Sequence, residues 1–335
     1  MKNIFIAILL TVVLLASPVL VNFAVSAPLK AAIILPGTKE DGGWNTMAFK
    51  AAEQMKKELG IQTAYSENVT PADATRVARE YIKDGYQLIF FHGMEFQTQA
   101  LSIAEKFPQA VTVMHTAEMK EMLPKNVWAV TMNFYQNWYA LGVLAGLKTK
   151  TNKIGVVGGI DFSSYIANLN AIRDAACRFN PGVKVYYSFC GTFDDPIAAR
   201  KAAESQIDMG VDVILNMVDL GIYGVVKAAK KADSKVWLIG MDLPRADLLP
   251  ENFIGTSLHS FGDGYTYIAK KVIEGMKSGN YNMRPGQGMY IGELNNISSK
   301  IKDTVLKVYQ KIEKKSFIPA MTIEYIFKSG AACGQ

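Results

Sequence analysis

Tyr81-Ile-Lys-Asp-Gly85-Tyr-Gln-Leu-Ile-Phe90 and Gln206-Ile-Asp-Met-Gly210-Val-Asp-Val-Ile-Leu215 decide how this chain folds. Each closes a helix-like run on a glycine, the residue that takes up a left-handed cap without a Cβ penalty. Each then enters an apolar run two residues later. Short, nearly continuous apolar runs read as strands buried on both faces, the mark of a parallel sheet covered by helices. The same cadence in both halves predicts two successive domains of one kind.

The beat continues outward from these segments. In the first half, strands are expected at Ala31–Leu35, Thr63–Ser66, Gln87–Phe91, Val111–His115 and Val127–Met132. Helices Asn45–Leu59, Thr70–Lys83 and Phe96–Phe107 lie between them. In the second half a helix from Trp138 precedes strands Lys153–Val157, Val183–Phe189, Val213–Asn216 and Val236–Gly240. Helices Tyr165–Phe179, Pro196–Met209 and Ile222–Ala232 alternate with those. The fold class is therefore α/β, two doubly wound parallel-sheet domains with an interdomain cleft. Residues 28–133 with 258–287 are expected to form one lobe, and 134–257 with 288–335 the other. The chain would cross near Asn133–Asn137, Ser257–Gly262 and Pro285–Met289, with helix Tyr265–Met276 returning to the first lobe and Ile297–Ile312 packing on the second. Ligands of such sheets sit beyond the carboxyl ends of the strands. The candidate site is thus the post-strand loops Pro36–Asn45, His92–Phe96, Asn133–Asn137, Gly158–Tyr165, Met217–Gly221 and Met241–Pro244, with Leu258–Asp263 at a crossover.

Residues 1–27 read as a secretory signal: Lys2 precedes an apolar stretch from Ile4 to Leu15 broken only by Thr11, and small residues Ala24-Val-Ser-Ala27 follow Ser17-Pro18. A retained anchor is the alternative, since apolar character runs on to Val25. Without a Cys near the end of that stretch, a lipoprotein is not expected. A periplasmic or extracellular protein is, working without cytosolic ATP or reduced nicotinamide. The whole 335-residue chain is 50% hydrophobic and 20% charged, and the part after residue 27 is long enough for two cores. The net charge of +6 is carried by scattered residues, with no basic block longer than pairs such as Lys314-Lys315, so no nucleic-acid partner is expected. Three cysteines are too few for a disulfide scaffold. Cys177 and Cys190 are close enough in sequence to bond or to stay as two buried thiols; Cys333 has no obvious partner.

The loop Asp41-Gly-Gly-Trp-Asn45 offers a flat ring, an amide and a carboxylate on a backbone that two glycines let fold tightly. Trp44 is expected to stack on a ligand. In the alternative, Asp41 or Asn45 caps the following helix and Trp44 packs on the domain body. Asp242, directly after the strand in Leu238-Ile-Gly-Met-Asp242, can accept two hydrogen bonds from vicinal hydroxyls, or can cap a turn before Pro244. Glu95 and Asp219 occupy matching tips in the two halves, again with capping as the plainer role. Phe193-Asp-Asp-Pro196 reads as structural, Asp195 before Pro196 being a helix start. His92 reads as a hydrogen-bonded, semi-buried residue, and His259 as the better ligand candidate. The chain lacks a Gly-x-Ser-x-Gly elbow, a phosphate-binding Gly-x-x-x-x-Gly-Lys and a His-Glu-x-x-His helix. Its three histidines have no metal-ligand spacing. No catalytic set, no metal and no cofactor are expected.

Asp41-Gly-Gly-Trp-Asn45, Trp138-Tyr-Ala-Leu-Gly-Val-Leu-Ala-Gly146, Lys153-Ile-Gly-Val-Val-Gly-Gly159, Gly191-Thr-Phe-Asp-Asp-Pro196 and Ile239-Gly-Met-Asp242 occur in an order that resembles the basic membrane protein family of ABC-transporter substrate-binding proteins, the purine-nucleoside-receptor-like group. The resemblance spans nearly all of the chain after residue 27. It implies a type I periplasmic binding protein-like fold that closes on a nucleoside or related small polar ligand and delivers it to a membrane permease. It matches Trp44 to a base-stacking aromatic and Asp242 to the carboxylate that holds ribose hydroxyls. A base-touching loop falls near Glu95-Phe96-Gln97, and a glycine-bearing loop near Asp219 and Gly221. Where nucleoside-binding members carry Thr-Ser-x-x-Lys, this chain has Thr256-Ser-Leu-His-Ser260, so His259 or Ser260 would face the cleft in place of a lysine. Met217-Val-Asp-Leu-Gly221 replaces a Gly-Gly-Thr-Gly-type segment. A monomeric importer component is expected, the alternatives being a sensory receptor of the same fold or a secreted nucleosidase.

Overall fold

Gly85 and Gly210 behave alike in the folded chain. Both are left-handed, with φ of 83° and 88°. Gly85 N–H bonds the Ile82 carbonyl and Tyr86 N–H that of Tyr81; Gly210 and Val211 repeat the pattern on Ile207 and Gln206. Each is a Schellman closure that aims the chain into a buried strand. The structure, a computed structural model, describes residues 28–118 and 122–334. The secretory segment expected over residues 1–27 lies outside them.

The first half runs β1 (Lys30–Ile34), α1 (Trp44–Leu59), β2 (Gln62–Ser66), α2 (Pro71–Lys83), β3 (Leu88–Phe91), α3 (Gln97–Lys106), β4 (Val111–Thr116) and β5 (Val127–Met132). The second runs α4 (Phe134–Lys148), β6 (Lys153–Gly158), α5 (Ser163–Phe179), β7 (Lys184–Phe189), α6 (Pro196–Asp208), β8 (Val213–Met217), α7 (Ile222–Lys231), β9 (Trp237–Asp242) and β10 (Phe253–His259). After these come α8 (Phe261–Ile273), β11 (Gly279–Pro285), β12 (Gly288–Ile291) and α9 (Ser299–Glu313). The strand order is β2-β1-β3-β4-β5-β11-β12-β10-β9-β8-β6-β7. Every pairing is parallel except β10 with β12.

Membership of the two six-strand halves changes three times along the chain. β5 is followed by α4, which packs on α5 and α9. β10 pairs β9, and the next helix, α8, packs on α1. β11 then pairs β5, and β12 pairs β10. The ladder is nevertheless continuous, because β11 and β12 touch over Arg284↔Gly288 and Pro285↔Met289. A seam two residues wide is all that makes the twelve strands one sheet. Two fully separate sheets were the expectation; the tight turn between β11 and β12 brings their ends within pairing distance.

Helix α4 starts at Phe134 rather than Trp138, and all of residues 134–146 are buried. A helix apolar all round has no polar face to mark its first turn. Neither reading of Cys177 and Cys190, bonded to each other or left as two thiols, holds: Cys177 pairs with Cys333, and Cys190 is free. The C-terminal strap that carries Cys333 runs along α5 and β7. Asn170 donates to the Thr322 and Glu324 carbonyls, Tyr325 stacks on Tyr187, and Gly330 N–H bonds the Val185 carbonyl. It covers an edge strand whose backbone would otherwise be open to pairing.

Candidate ligand-binding cleft

Asp41 is 2% exposed and committed. Its Oδ1 accepts from the backbone of Gly43 and Thr46 and from the Thr46 hydroxyl; its Oδ2 accepts from Asn45 N–H and the Asn45 amide. Asn45 Oδ1 in turn accepts from Gly37 N–H. These bonds satisfy the orphan donors at the start of α1 and set the ring of Trp44 over His92, centroids 4.4 Å apart. Trp44 Nε1 donates to the His92 carbonyl, and His92 Nε2 bonds the Trp44 carbonyl. A carbonyl only accepts, so His92 carries its proton on Nε2. Its bare Nδ1 therefore accepts from the Tyr265 hydroxyl at 2.6 Å, and the Tyr265 oxygen accepts from His115 Nε2 at 2.8 Å. Burial pushes His92 down to about 3, and burial plus the neighbouring His92 ring push His115 well below its usual range. Both imidazoles are neutral, and they form a fixed polar floor under Trp44.

Across the cleft, the opposite wall comes from the starts of α5 and α7 and the loop after β7. Phe162, Tyr165 and Phe193 lie together, Tyr165 and Phe193 with centroids 5.1 Å apart. With Trp44 and Phe134 they surround a cavity of about 170 Å³, whose rim also holds Glu95, Asp194 and Asp219. Asp219 is 5% exposed and its Oδ1 has no partner. Burial, then the carboxylates of Asp242 and Asp41, hold its carboxyl well above the usual carboxylate range. Burial and the Asp219, Asp242 and Glu95 carboxylates likewise raise the Tyr165 hydroxyl. Gly43 is required here, since a Cβ at that position would strike the Asp219 carboxylate.

Asp242 is 2% exposed and sits in the left-handed region, φ 69°. A non-glycine residue held there is strained backbone at a strand tip. Its Oδ1 bonds His259 Nδ1 at 2.7 Å, His259 Nε2 meets the Ser257 hydroxyl at 3.1 Å, and Asn137 donates to that hydroxyl and to the Tyr290 carbonyl. His259 also stacks on Phe134, centroids 4.1 Å apart. Asp242 Oδ2 is left without a partner. Arg245 reaches over to the Gly42 carbonyl, bridging the two halves.

Of the residues singled out in the sequence, Trp44, Asn45, Glu95 and Asp219 line the cavity. Asp242 and His259 stand behind Asp219 and Phe134. Asp41 builds the Trp44 loop, Phe96 is core, Gly221 bonds the Phe193 carbonyl at the start of α7, and the Ser260 hydroxyl accepts from Asp263 N–H. Asp195 caps α6 as expected, accepting from Ile197 and Ala198 N–H, but its neighbours Phe193 and Asp194 face the cavity. Phe134, Phe162 and Tyr165 fall inside the post-strand loops Asn133–Asn137 and Gly158–Tyr165 that were expected to form the site, though none was singled out. Aromatics at helix starts read as core from sequence, and only their position beyond strand ends marks them. Among the described residues, no cluster of His, Cys, Asp or Glu is arranged to hold a metal ion, and no helix is long and apolar enough to cross a membrane.

Residues 29–324 match the family described as ABC transporter substrate-binding protein, PnrA-like. The chain belongs to the Bmp family. Its similarity to relatives runs end to end: basic membrane protein A2 of Borrelia garinii is 26% identical over 310 residues, 86% of this chain and 91% of that one. The ABC transporter nucleoside-binding protein BmpA of Lactococcus lactis is 27% identical over 314 residues, 84% and 86% of the two chains. Among solved structures, an ABC transporter solute-binding protein from Aeropyrum pernix superposes with a TM-score of 0.79 at 19% identity, covering 89% of this chain and 95% of the other. That likeness fixes a type I periplasmic binding protein-like fold. The name of the Lactococcus relative describes a binding protein, and as a Bmp member this chain is an ABC-transporter substrate-binding protein; its cleft lies between two α/β halves.

Proposed function

We propose that this protein is the extracytoplasmic capture component of an importer, closing on a nucleoside or related small polar ligand and handing it to a membrane permease. Residues 28–133 with 258–287 and residues 134–257 with 288–335 act as lobes. They hinge where the chain passes from β5 to α4, from β10 to α8 and from β11 to β12. The observation that carries this reading is Trp44: a flat ring held on a fixed floor, facing an aromatic and carboxylate wall on the other half. The name of the Lactococcus relative supports a nucleoside. Asp242 keeps Oδ2 for a ligand hydroxyl once its Oδ1 is tied to His259. The Arg245 contact to Gly42 favours the closed form.

Titration with purine and pyrimidine nucleosides, read by tryptophan fluorescence and calorimetry in wild type and Trp44→Ala, tests this. Stacking of a base on an aromatic contributes about 1–3 kcal/mol, so the variant should bind about tenfold or more weakly. Equal affinity in the two proteins, or no nucleoside bound by either, defeats it.

A further inference from the structure

We propose that the ligand carries a positive charge: a flat heterocycle, nucleoside-sized, with a cationic nitrogen. The inference rests on the capture reading above and specifies the chemistry of the same cavity. The rim holds three carboxylates, Glu95, Asp194 and Asp219, and no lysine or arginine. Arg245, three residues beyond Asp242, has its guanidinium on the Gly42 carbonyl and pairs with no carboxylate among the described residues. A neutral nucleoside offers such a rim only hydroxyls and amides, whereas a cation also compensates the carboxylate charge that burial disfavours.

A second observation points to a ligand directly. Asp219 is more than nine-tenths buried, faces the cavity, and has an Oδ1 that no group in the protein satisfies; its carboxyl also meets that of Asp242. Buried polar groups are rarely left so unless a ligand completes them. A third is the cage itself. Trp44, Phe134, Phe162, Tyr165 and Phe193 all line the same space, and aromatic rings attract cations most strongly where water is excluded. Aromatic walls with a carboxylate at the base form the arrangement a delocalised or alkylated cationic ring fits.

Burial and the Asp242 and Asp41 carboxylates disfavour the Asp219 anion. A bound cation favours it, so binding is opposed by protons and its affinity should fall as the pH is lowered. The titratable groups facing this space are Glu95, Asp194, Asp219 and the Tyr165 hydroxyl, with Asp41 and Asp242 behind them, His259 against Asp242 and Arg245 across the cleft.

The test uses two isomeric nucleosides, 1-methyladenosine, a cation at neutral pH, and N6-methyladenosine, which is neutral, with thiamine as a cationic ring that is not a nucleoside. Calorimetry at pH 7.5 on the full-length protein should show 1-methyladenosine at least tenfold tighter than its isomer, with that ratio falling severalfold at pH 5.5. Asp219→Asn should shrink the ratio at pH 7.5, its folding being checked by its melting curve. The wild-type comparison stands even if the variant fails to fold. Equal or tighter binding of N6-methyladenosine overturns the charge while keeping the nucleoside reading. Thiamine binding without either nucleoside keeps the charge and overturns the nucleoside. Binding of none of the three overturns both.

Discussion

The two walls of the cleft treat their polar groups in opposite ways. On the Trp44 side the Asp41 carboxylate is saturated by donors, and His92, Tyr265 and His115 Nε2 bond in a chain whose proton positions follow from a single carbonyl, with His115 Nδ1 left over. Around Asp219 more is left open: Asp219 Oδ1 and Nε of Arg245 have no partner, and beyond its bond to His259 the Asp242 carboxylate meets only the Asp219 carboxyl. A wall whose hydrogen bonds are internal gives shape and stiffness. A wall whose bonds are unmade gives affinity for whatever completes it. The difference teaches that stacking and polar selection are assigned to separate halves, so that closure of the halves is what joins them.

The largest test of that contrast is Tyr265→Phe. It keeps the stack on Phe90 but orphans His92 Nδ1 and the His115 N–H in a buried place. At about 1–3 kcal/mol for each buried orphan, the folded state should lose about 3 kcal/mol in urea unfolding. A loss under about 1 kcal/mol would break the picture of a pre-satisfied wall.

Next is the acid response of that floor. The unfolded chain protonates histidine at about 6.5, whereas folded His92 does so only near 3 and His115 also well below its usual value. Stability from the neutral rings is therefore complete above about pH 6.5 and is lost as pH falls toward 3, at about 1.4 kcal/mol per pH unit for each histidine. Unfolding free energies at pH 7 and pH 5 measure it, and His92→Gln should flatten the slope. An unchanged slope in that variant contradicts the assignment.

Smallest, and opposite in sign, is Asp219→Asn without ligand. Asp219 is raised in the folded state, so its favourable protonated form is complete below the unfolded value near 3.8 and lost as pH rises through the folded value. An amide copies the protonated form and can donate to the open Asp242 oxygen. The variant should gain about 1 kcal/mol, roughly 2–4 °C, at pH 8 and less at pH 4. Destabilisation at pH 8 would show that the open wall is not strained by its own charge.

How much of this was legible in the sequence depends on the distance over which each feature is encoded. Gly85 and Gly210 mark helix ends within a few residues, and the strands that follow are continuous apolar runs, so most of both sheets could be read. β10, β11 and β12 escaped because their pairings are set by the crossovers and not by a local pattern. Trp44 was legible because two glycines and polar neighbours leave a large ring exposed in a loop. Asp41 was ambiguous between ligand and cap, since both need the same carboxylate; five donors around it favour the cap. The His92–Tyr265–His115 chain and the Cys177–Cys333 bond were illegible for one reason: each joins segments more than a hundred residues apart, and nothing local distinguishes their members.

That bond has a consequence for how the protein is made. Cys333 closes a span of 156 residues containing α6 to α9 and six of the strands. A chain delivered from its amino end can assemble β1 to β5 early, long before the link can form. Cys177 must wait, with Cys190 nearby in sequence as a competing thiol, until Cys333 arrives. Covalent closure of the second half thus follows the emergence of all its strands, and a chain interrupted before Cys333 keeps an unpaired Cys177.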